Sequence, residues 1–218
     1  MADYPVTFDV ARPDKFDRTQ VALRILVILL LSILAGAVGW LLGLVYLAVP
    51  VVAAILISQK GAAVYLEQKG DPLTNLLRWY LALYSYLAML TDKFPAEKPE
   101  EIVRFDVTPS GSPAVGSALL RLIYSIPSAF VLGILGIVGV VIWIIAVISV
   151  LIQENYSEGL YNFQLGIMRW QARLLGYHAS LVERYPPFAV DVGPEGAPPP
   201  SVTEPAPPPA GREEPTQP

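Results

Sequence analysis

The sequence contains no cysteine and only one histidine among its 218 residues. Without cysteine the chain has no disulfide, no thiolate metal ligand and no thiol nucleophile. Charged residues are also scarce at 16%, whereas hydrophobic residues make up 54%. In a typical soluble domain about 25% of the residues are charged and about 45–50% are hydrophobic. The net charge of −4 gives no basic surface, so no nucleic-acid partner is expected.

Charged residues are absent from two long segments of the chain. Residues 25–59 and 122–153 hold no charged side chain, in runs of 35 and 32 residues. About 18 consecutive apolar residues already mark a candidate membrane span. The first twenty residues are polar and lack the apolar core of a cleavable signal peptide, so the first run is expected to act as an uncleaved insertion signal. We therefore expect an all-α integral membrane protein with the lipid bilayer as its main partner.

Short motifs recur in the same order at two offsets, 97 residues up to the hydrophobic run and 91 residues beyond it. Ordered recurrence of several motifs indicates an internal duplication. We divide the chain into a first repeat, residues 1–95, a second repeat, residues 101–188, and a tail. The equivalent pairs used below are Phe8 and Phe105, Arg24 and Arg121, Arg78 and Arg169, Trp79 and Trp170, and Tyr86 and Tyr177.

Each repeat is predicted to hold the same three elements. A short arm with the alternation of a β-strand comes first; an ordered coil is the alternative. If both arms are strands, pairing with each other would hide two exposed edges. A short transmembrane helical hairpin follows, and then an aromatic-rich amphipathic helix of the kind that usually lies in the membrane interface. The arms span residues 4–12 and 101–108, the hairpins 22–59 and 118–153, and the amphipathic helices 72–91 and 159–183.

Glycines near the middle of each hydrophobic run predict the hairpin turns, at Gly39 and Gly43 in the first run and at Gly136 and Gly139 in the second. The alternative is that these glycines allow close helix packing. Arms of about 16 residues would be about 24 Å long, slightly short of a hydrocarbon core of about 30 Å. We prefer hairpins that span the membrane, with re-entrant wedges as the alternative.

This arrangement puts every charged residue on one side of the membrane. The positive-inside rule then places both termini in the cytoplasm of a multi-pass protein of the cell membrane, plasma or inner. Residues 191–218 are rich in proline and predict a disordered tail.

Basic and aromatic side chains at the ends of the hydrophobic runs and on the amphipathic helices are predicted to contact lipid or the membrane interface. For Arg24 and Arg121 the alternative is an ion pair with Asp9 and Asp106. His178, the single histidine, has no catalytic partner at a recognisable spacing and is expected to be a packing residue. No catalytic residue, metal or cofactor is expected. The predicted contacts are Arg24, Arg121, Arg78, Trp79, Arg169, Trp170, Arg173, Tyr177, Arg184 and Tyr185.

The second repeat carries a signature that resembles a prokaryotic membrane family known as domain of unknown function 4389. The resemblance covers the second repeat well and the first more loosely, because residues 68–72 replace the Gly-Leu-Tyr-Asn-Phe segment. It implies a multi-pass membrane location and tandem hairpins, and it implies no reaction, cofactor or ligand. The signature consists of Gly159-Leu160-Tyr161-Asn162-Phe163, Gly166, Arg169-Trp170, Arg173, Tyr177 and Arg184-Tyr185-Pro186-Pro187-Phe188.

Three functions follow from these expectations. The leading hypothesis is a non-enzymatic protein that organises the membrane or scaffolds an assembly, as a homo-oligomer or with another membrane protein. The first alternative is a subunit of a transporter or channel that acts as an oligomer. The second alternative is a lipid-modifying enzyme centred on His178.

Overall fold

The structure, a computed structural model, describes residues 4–35, 38–68, 70–96 and 98–190. The tail predicted at residues 191–218 lies outside the described residues. As expected, the chain is mostly helical, with one small sheet. In chain order the elements are β1 (Val6–Val10), α1 (Arg18–Ala35), α2 (Val38–Lys60), α3 (Ala62–Glu67), α4 (Asp71–Leu87), β2 (Val103–Val107), α5 (Val115–Tyr124), α6 (Ile126–Gln153) and α7 (Glu158–His178), with a 3-10 turn at Pro99–Glu101.

Strands β1 and β2 lie within the predicted arms, and they pair with each other in an antiparallel sheet. Phe8 lies opposite Phe105 at the centre of the pairing. Because these two residues are equivalent by the 97-residue offset, a local two-fold axis passes between them. Alternate side chains of both strands are buried on one face, whereas Arg104 and Asp106 on the other face are exposed. The sheet therefore has one apolar face and one solvated face.

The apolar face of the sheet packs on the two amphipathic helices, with β1 on α7 and β2 on α4. The approach of β1 to α7 is close: a Cβ atom at Gly176 would lie 2.8 Å from Cγ2 of Val6. Each strand thus rests on the amphipathic helix that follows the other strand's hydrophobic run.

Helices α4 and α7 end earlier than predicted, at Leu87 and His178, and they end in the same way. Met89 and Ser180 adopt left-handed backbone conformations, with φ of 62° and 55°. The next residue then donates its N–H back across the last turn, from Leu90 to Ser85 in α4 and from Leu181 to Gly176 in α7. This is the Schellman ending of a helix, and the two endings are 91 residues apart.

The prediction that these two helices lie in the membrane interface stays a prediction, but lipid does not cover their apolar sides. Their apolar sides are covered by protein: Leu77 and Leu81 of α4 and Trp170 and Leu174 of α7 are all buried. The helices form a middle layer, between the sheet and the hydrophobic helices that contact them. Periodicity identifies an apolar face, but it does not specify whether protein or lipid covers that face.

The predicted hairpin turns are also wrong. Gly39 and Gly43 lie inside α2, and Gly136 and Gly139 lie inside α6. Residues 36–37 of the first run lie outside the described residues, and the second run is divided between α5 and α6 at Ser125. In apolar surroundings a continuous helix satisfies every backbone polar group, and glycine permits a turn without requiring one.

Among the described helices, two are long and apolar enough to cross a membrane, over residues Gly43–Lys60 and Ile126–Gln153. The second has 28 residues, a length of about 42 Å at 1.5 Å per residue. Large apolar side chains also lie exposed on the outer sides of α1, α2, α5 and α6, including Ile137, which is 70% exposed.

Candidate functional site

Two buried arginines, one near the start of each hydrophobic run, form the centre of the candidate site. Arg24 of α1 is 0% exposed. Its Nη2 donates to the carbonyl oxygen of Thr91 at 2.7 Å and to Oδ1 of Asp92 at 3.0 Å. Its guanidinium lies 4.6 Å from the centre of the Tyr86 ring, a cation–π distance. The side chain thus ties α1 to the segment that follows α4.

Arg121 of α5 makes the corresponding contacts. It is 6% exposed, and its Nη1 donates to the carbonyl oxygens of Tyr177 and Val182, both at 2.6 Å. Its guanidinium lies 4.3 Å from the centre of the Tyr177 ring. Val182 and Tyr177 are 91 residues beyond Thr91 and Tyr86. We call the contacts of Arg24 and of Arg121 the two arginine clamps.

The clamps differ in their acidic partner. Asp92 forms an ion pair with Arg24 at 3.0 Å, whereas no carboxylate in the described part of the chain lies at ion-pair distance from Arg121. The equivalent acid, Glu183, instead lines, together with Arg121, a pocket of about 180 Å³. Three hydroxyl side chains, Ser110, Ser112 and Ser117, complete its polar lining.

A second pair of arginines joins the strands to the middle layer. Arg78 of α4 donates from Nη2 to the carbonyl oxygen of Phe105 at 3.3 Å. Arg169 of α7 donates from Nε to the carbonyl oxygen of Phe8 at 3.3 Å. Arg169 also pairs with Asp9 at 3.3 Å. Each of these arginines thus binds the strand of the other predicted repeat, at equivalent positions.

The structure corrects several of the predicted lipid contacts. Arg24 and Trp170 are buried by protein, so the prediction of lipid contact is wrong for these two. Arg121 and Tyr177 are each 6% exposed, and both line the pocket of about 180 Å³. Basic and aromatic residues near the ends of apolar runs are typical of lipid contacts. The same residue types also make polar contacts inside a protein, so residue type alone does not distinguish the two.

The remaining predicted contacts are at least partly accessible. Trp79 is 41% exposed and donates from Nε1 to the carbonyl oxygen of Pro95. Arg184 is exposed, and Arg78, Arg169, Arg173 and Tyr185 are half-buried.

The alternative ion pairs proposed for Arg24 and Arg121 are not formed. Asp9 pairs with Arg169, and Asp106 pairs with Arg104 at 2.7 Å. The acidic partner of Arg24 is Asp92, which follows α4 and comes beside the arginine only in the folded chain. Its position 68 residues from Arg24 explains why sequence spacing alone did not identify it.

An apolar cavity of about 270 Å³ lies between α6, α7 and the end of α4. Sequence reasoning missed it, although the glycines predicted as a turn, Gly136 and Gly139, are in its wall. A Cβ atom at Gly139 would lie 3.2 Å from Oε1 of Gln164, whereas one at Gly136 would meet no atom within 4 Å. The missing side chain of Gly139 therefore leaves room for the buried amide of Gln164 to pack against α6. This contact agrees with the alternative prediction that the glycines allow close helix packing.

His178 lies at the end of α7 and is 2% exposed. Its ring meets the ring of Tyr46 edge to face, with centres 5.6 Å apart. Burial lowers the pKa of His178 to about 4, so the imidazole is neutral at pH 7. The equivalent position in the predicted first repeat is Leu87, and the carbonyl oxygen of Leu87 accepts from Nε1 of Trp143. These contacts agree with a packing role.

Residues 116–190 match the family model described as "Domain of unknown function (DUF4389)". The match begins in α5 and includes the Arg121 clamp, the whole of α6 and the whole of α7. It supports the family resemblance for one copy, because the first half of the chain is outside the match. No curated protein and no solved structure matches the chain significantly.

Proposed function

We propose that the chain is a multi-pass, non-enzymatic membrane protein, built from two structural repeats, that organises lipid or a protein assembly. The observation that carries this proposal is the apolar outer surface of α1, α2, α5 and α6. The middle layer, α4 and α7, separates this apolar surface from the solvated face of the sheet. The molecule therefore has one polar side and one apolar side.

The size of the apolar surface is what favours a bilayer over water. Helix α6 alone exposes twelve large apolar side chains, spread from Ile126 to Ile152. Covering each half-exposed side chain contributes about 1 kcal/mol, half of what full burial gives. Lipid would therefore stabilise α6 by about 10 kcal/mol, comparable with the whole stability of a small domain. Contiguous apolar patches on a soluble monomer are about 300–600 Å² at most.

The contacts of the arginines support two repeats. Three arginine contacts recur at the offsets of 97 and 91 residues: a carbonyl hydrogen bond and a cation–π contact in the clamps, and a hydrogen bond from helix to strand. The two-fold axis between Phe8 and Phe105 would lie along the membrane normal. Both repeats would then have the same orientation, and both termini would lie in the cytoplasm, where the positive-inside rule places the basic flanks.

A scaffold is favoured over a transporter. Ion-coupled carriers place ionisable residues within the membrane, and residues 25–59 and 122–153 contain none. The 270 Å³ cavity beside α6 is lined mainly by apolar groups, which does not favour a path for ions.

Membrane integration is tested by extraction of membranes with alkaline carbonate. The chain should stay in the membrane pellet. Ile137→Lys, which puts a charge on the exposed side of α6, should lower the membrane-integrated fraction, because a lysine at the centre of a span costs about 3 kcal/mol. Thr7→Lys, on the solvated face of the sheet, is the matched control and should behave as wild type. Release of the wild-type chain by carbonate would contradict the proposal.

The organising role is tested by reconstitution of the full chain into liposomes. We expect a stable oligomer, a preference for particular lipids or a change in bilayer shape. A chain that inserts but shows none of these three effects would contradict the organising role while leaving membrane integration intact.

A further inference from the structure

We propose that the pocket beside Arg121 binds the headgroup of a phospholipid that carries a phosphate and a primary ammonium group, such as phosphatidylethanolamine. We call this pocket, lined by Arg121, Glu183 and three serines, the headgroup pocket. The inference rests on the membrane location proposed above and assigns it a lipid class.

Arg121 carries a positive charge with no carboxylate at ion-pair distance among the described residues, and Glu183 interacts with it electrostatically from farther away. Both of its hydrogen bonds to described residues leave from Nη1 and end on neutral carbonyl oxygens. Arg24, by contrast, has a carboxylate at 3.0 Å. A buried cation is stable only when it is paired or well hydrogen-bonded. The guanidinium of Arg121 can therefore accept an anionic group of a ligand, and guanidinium suits phosphate oxygens well.

Glu183, which also lines the pocket, selects among anionic groups. Its carboxylate is close to the loop before α5: a Cβ atom at Gly111 would lie 2.6 Å from Oε2 of Glu183. A ligand with negative charge only would be repelled by this carboxylate. A primary ammonium group would instead donate charge-assisted hydrogen bonds to it. A trimethylammonium group has no N–H to donate and is larger, so a choline headgroup fits less well.

The size of the headgroup pocket suits a small polar group. Its volume of about 180 Å³ equals about six water molecules at about 30 Å³ each. The hydroxyl groups of Ser110 and Ser112 offer further donors for phosphate oxygens, whereas that of Ser117 already donates to the carbonyl oxygen of Ala114.

The position of the pocket suits a lipid rather than a soluble metabolite. Arg121 is the last charged residue before the uncharged run, which begins at residue 122. The last two side chains of α5, Ile123 and Tyr124, are exposed, and Tyr124 forms part of the pocket wall. A headgroup in the pocket would therefore have its acyl chains beside the apolar surface of α5 and α6.

The test measures lipid binding to the purified full chain in detergent micelles, by native mass spectrometry with phosphatidylethanolamine, phosphatidylcholine and phosphatidylglycerol. Phosphatidylethanolamine should bind about tenfold more tightly than either of the others, the difference that one charge-assisted hydrogen bond of about 1.4 kcal/mol produces. Glu183→Gln should abolish the preference over phosphatidylcholine and raise the binding of phosphatidylglycerol. Glu67→Gln, which changes the net charge equally at an exposed site on α3, is the matched control and should keep the preference.

Equal binding of the three lipids by the wild-type chain would overturn the inference, and so would an unchanged preference in Glu183→Gln. Soluble phosphoethanolamine, added as competitor, should displace the lipid only at far higher concentration; equal potency would overturn the assignment to a lipid. A chain that resists carbonate extraction but lacks the preference refutes the headgroup pocket alone. A chain released by carbonate refutes the proposed membrane location as well.

Discussion

Two alanine substitutions three residues apart on α6 should have different effects on stability. In a helix interior, replacement of glycine by alanine contributes about 1 kcal/mol through the backbone. At Gly136 the new Cβ meets no atom within 4 Å, and it enters the apolar cavity. Gly136→Ala should therefore stabilise the protein by the full amount of about 1 kcal/mol.

At Gly139 the same stabilisation of the helix backbone is offset by a steric contact of the new Cβ atom. The new Cβ would lie 3.2 Å from Oε1 of Gln164, closer than ordinary van der Waals contact. Overpacking of a buried site costs about 1 kcal/mol or more. Gly139→Ala should therefore be neutral or destabilising, and less stable than Gly136→Ala by about 1 kcal/mol.

The assay is thermal unfolding of the purified chain in detergent micelles, with both variants in the same micelle. About 1 kcal/mol corresponds to a shift in melting temperature of about 2–4 °C for a chain of this size. If Gly136→Ala lowers the melting temperature, the backbone at Gly136 needs the freedom of glycine. That result would refute the continuous helix and would restore a turn at this position.

Three further predictions concern the buried contacts. Arg24→Gln should cost about 3 kcal/mol because it breaks a buried ion pair, whereas Arg104→Gln, in an exposed pair, should cost less than about 1 kcal/mol in the same unfolding assay; equal costs would refute the clamp. His178 binds a proton more readily in the unfolded chain, at a pKa near 6.5, than in the folded chain, at about 4. Stability should therefore be full above pH 6.5 and fall by about 3 kcal/mol down to pH 4, and His178→Leu should lack this fall; a wild-type profile in that variant would assign the loss to other groups. Gly176→Ala should destabilise the protein by about 1–3 kcal/mol, because its Cβ would lie 2.8 Å from Val6; a neutral result would place β1 farther from α7.

Local pattern predicted the amphipathic helices, and it predicted the strands with an ordered coil as the alternative. Alternation in residues 6–10 and 103–107 predicted strands, and the need to cover two edges predicted their pairing, which the structure confirms. The ends of α4 and α7 were missed because non-glycine residues, Met89 and Ser180, take left-handed conformations there. Sequence patterns associate that conformation with glycine.

The errors in the site share one cause: the sequence does not show what covers a side chain. Arginines at the edge of an apolar run were assigned to lipid, and two of them proved to hold the chain after α4 and α7. The acidic partner of Arg24 and the cavity beside Gly136 both depend on segments that are distant in sequence. Such contacts follow from the packing of three layers, which no local spacing encodes.

The central claim is that the exposed side of α6 faces lipid while the outer face of the sheet faces water. Because the chain contains no cysteine, single cysteines can be introduced at Ile137 and at Thr7 and labelled with a water-soluble maleimide in proteoliposomes. The account predicts rapid labelling of Thr7→Cys, at least in the molecules whose sheet faces the reagent, and protection of Ile137→Cys until the protein is unfolded in detergent. Labelling of Ile137→Cys as rapid as that of Thr7→Cys would contradict it.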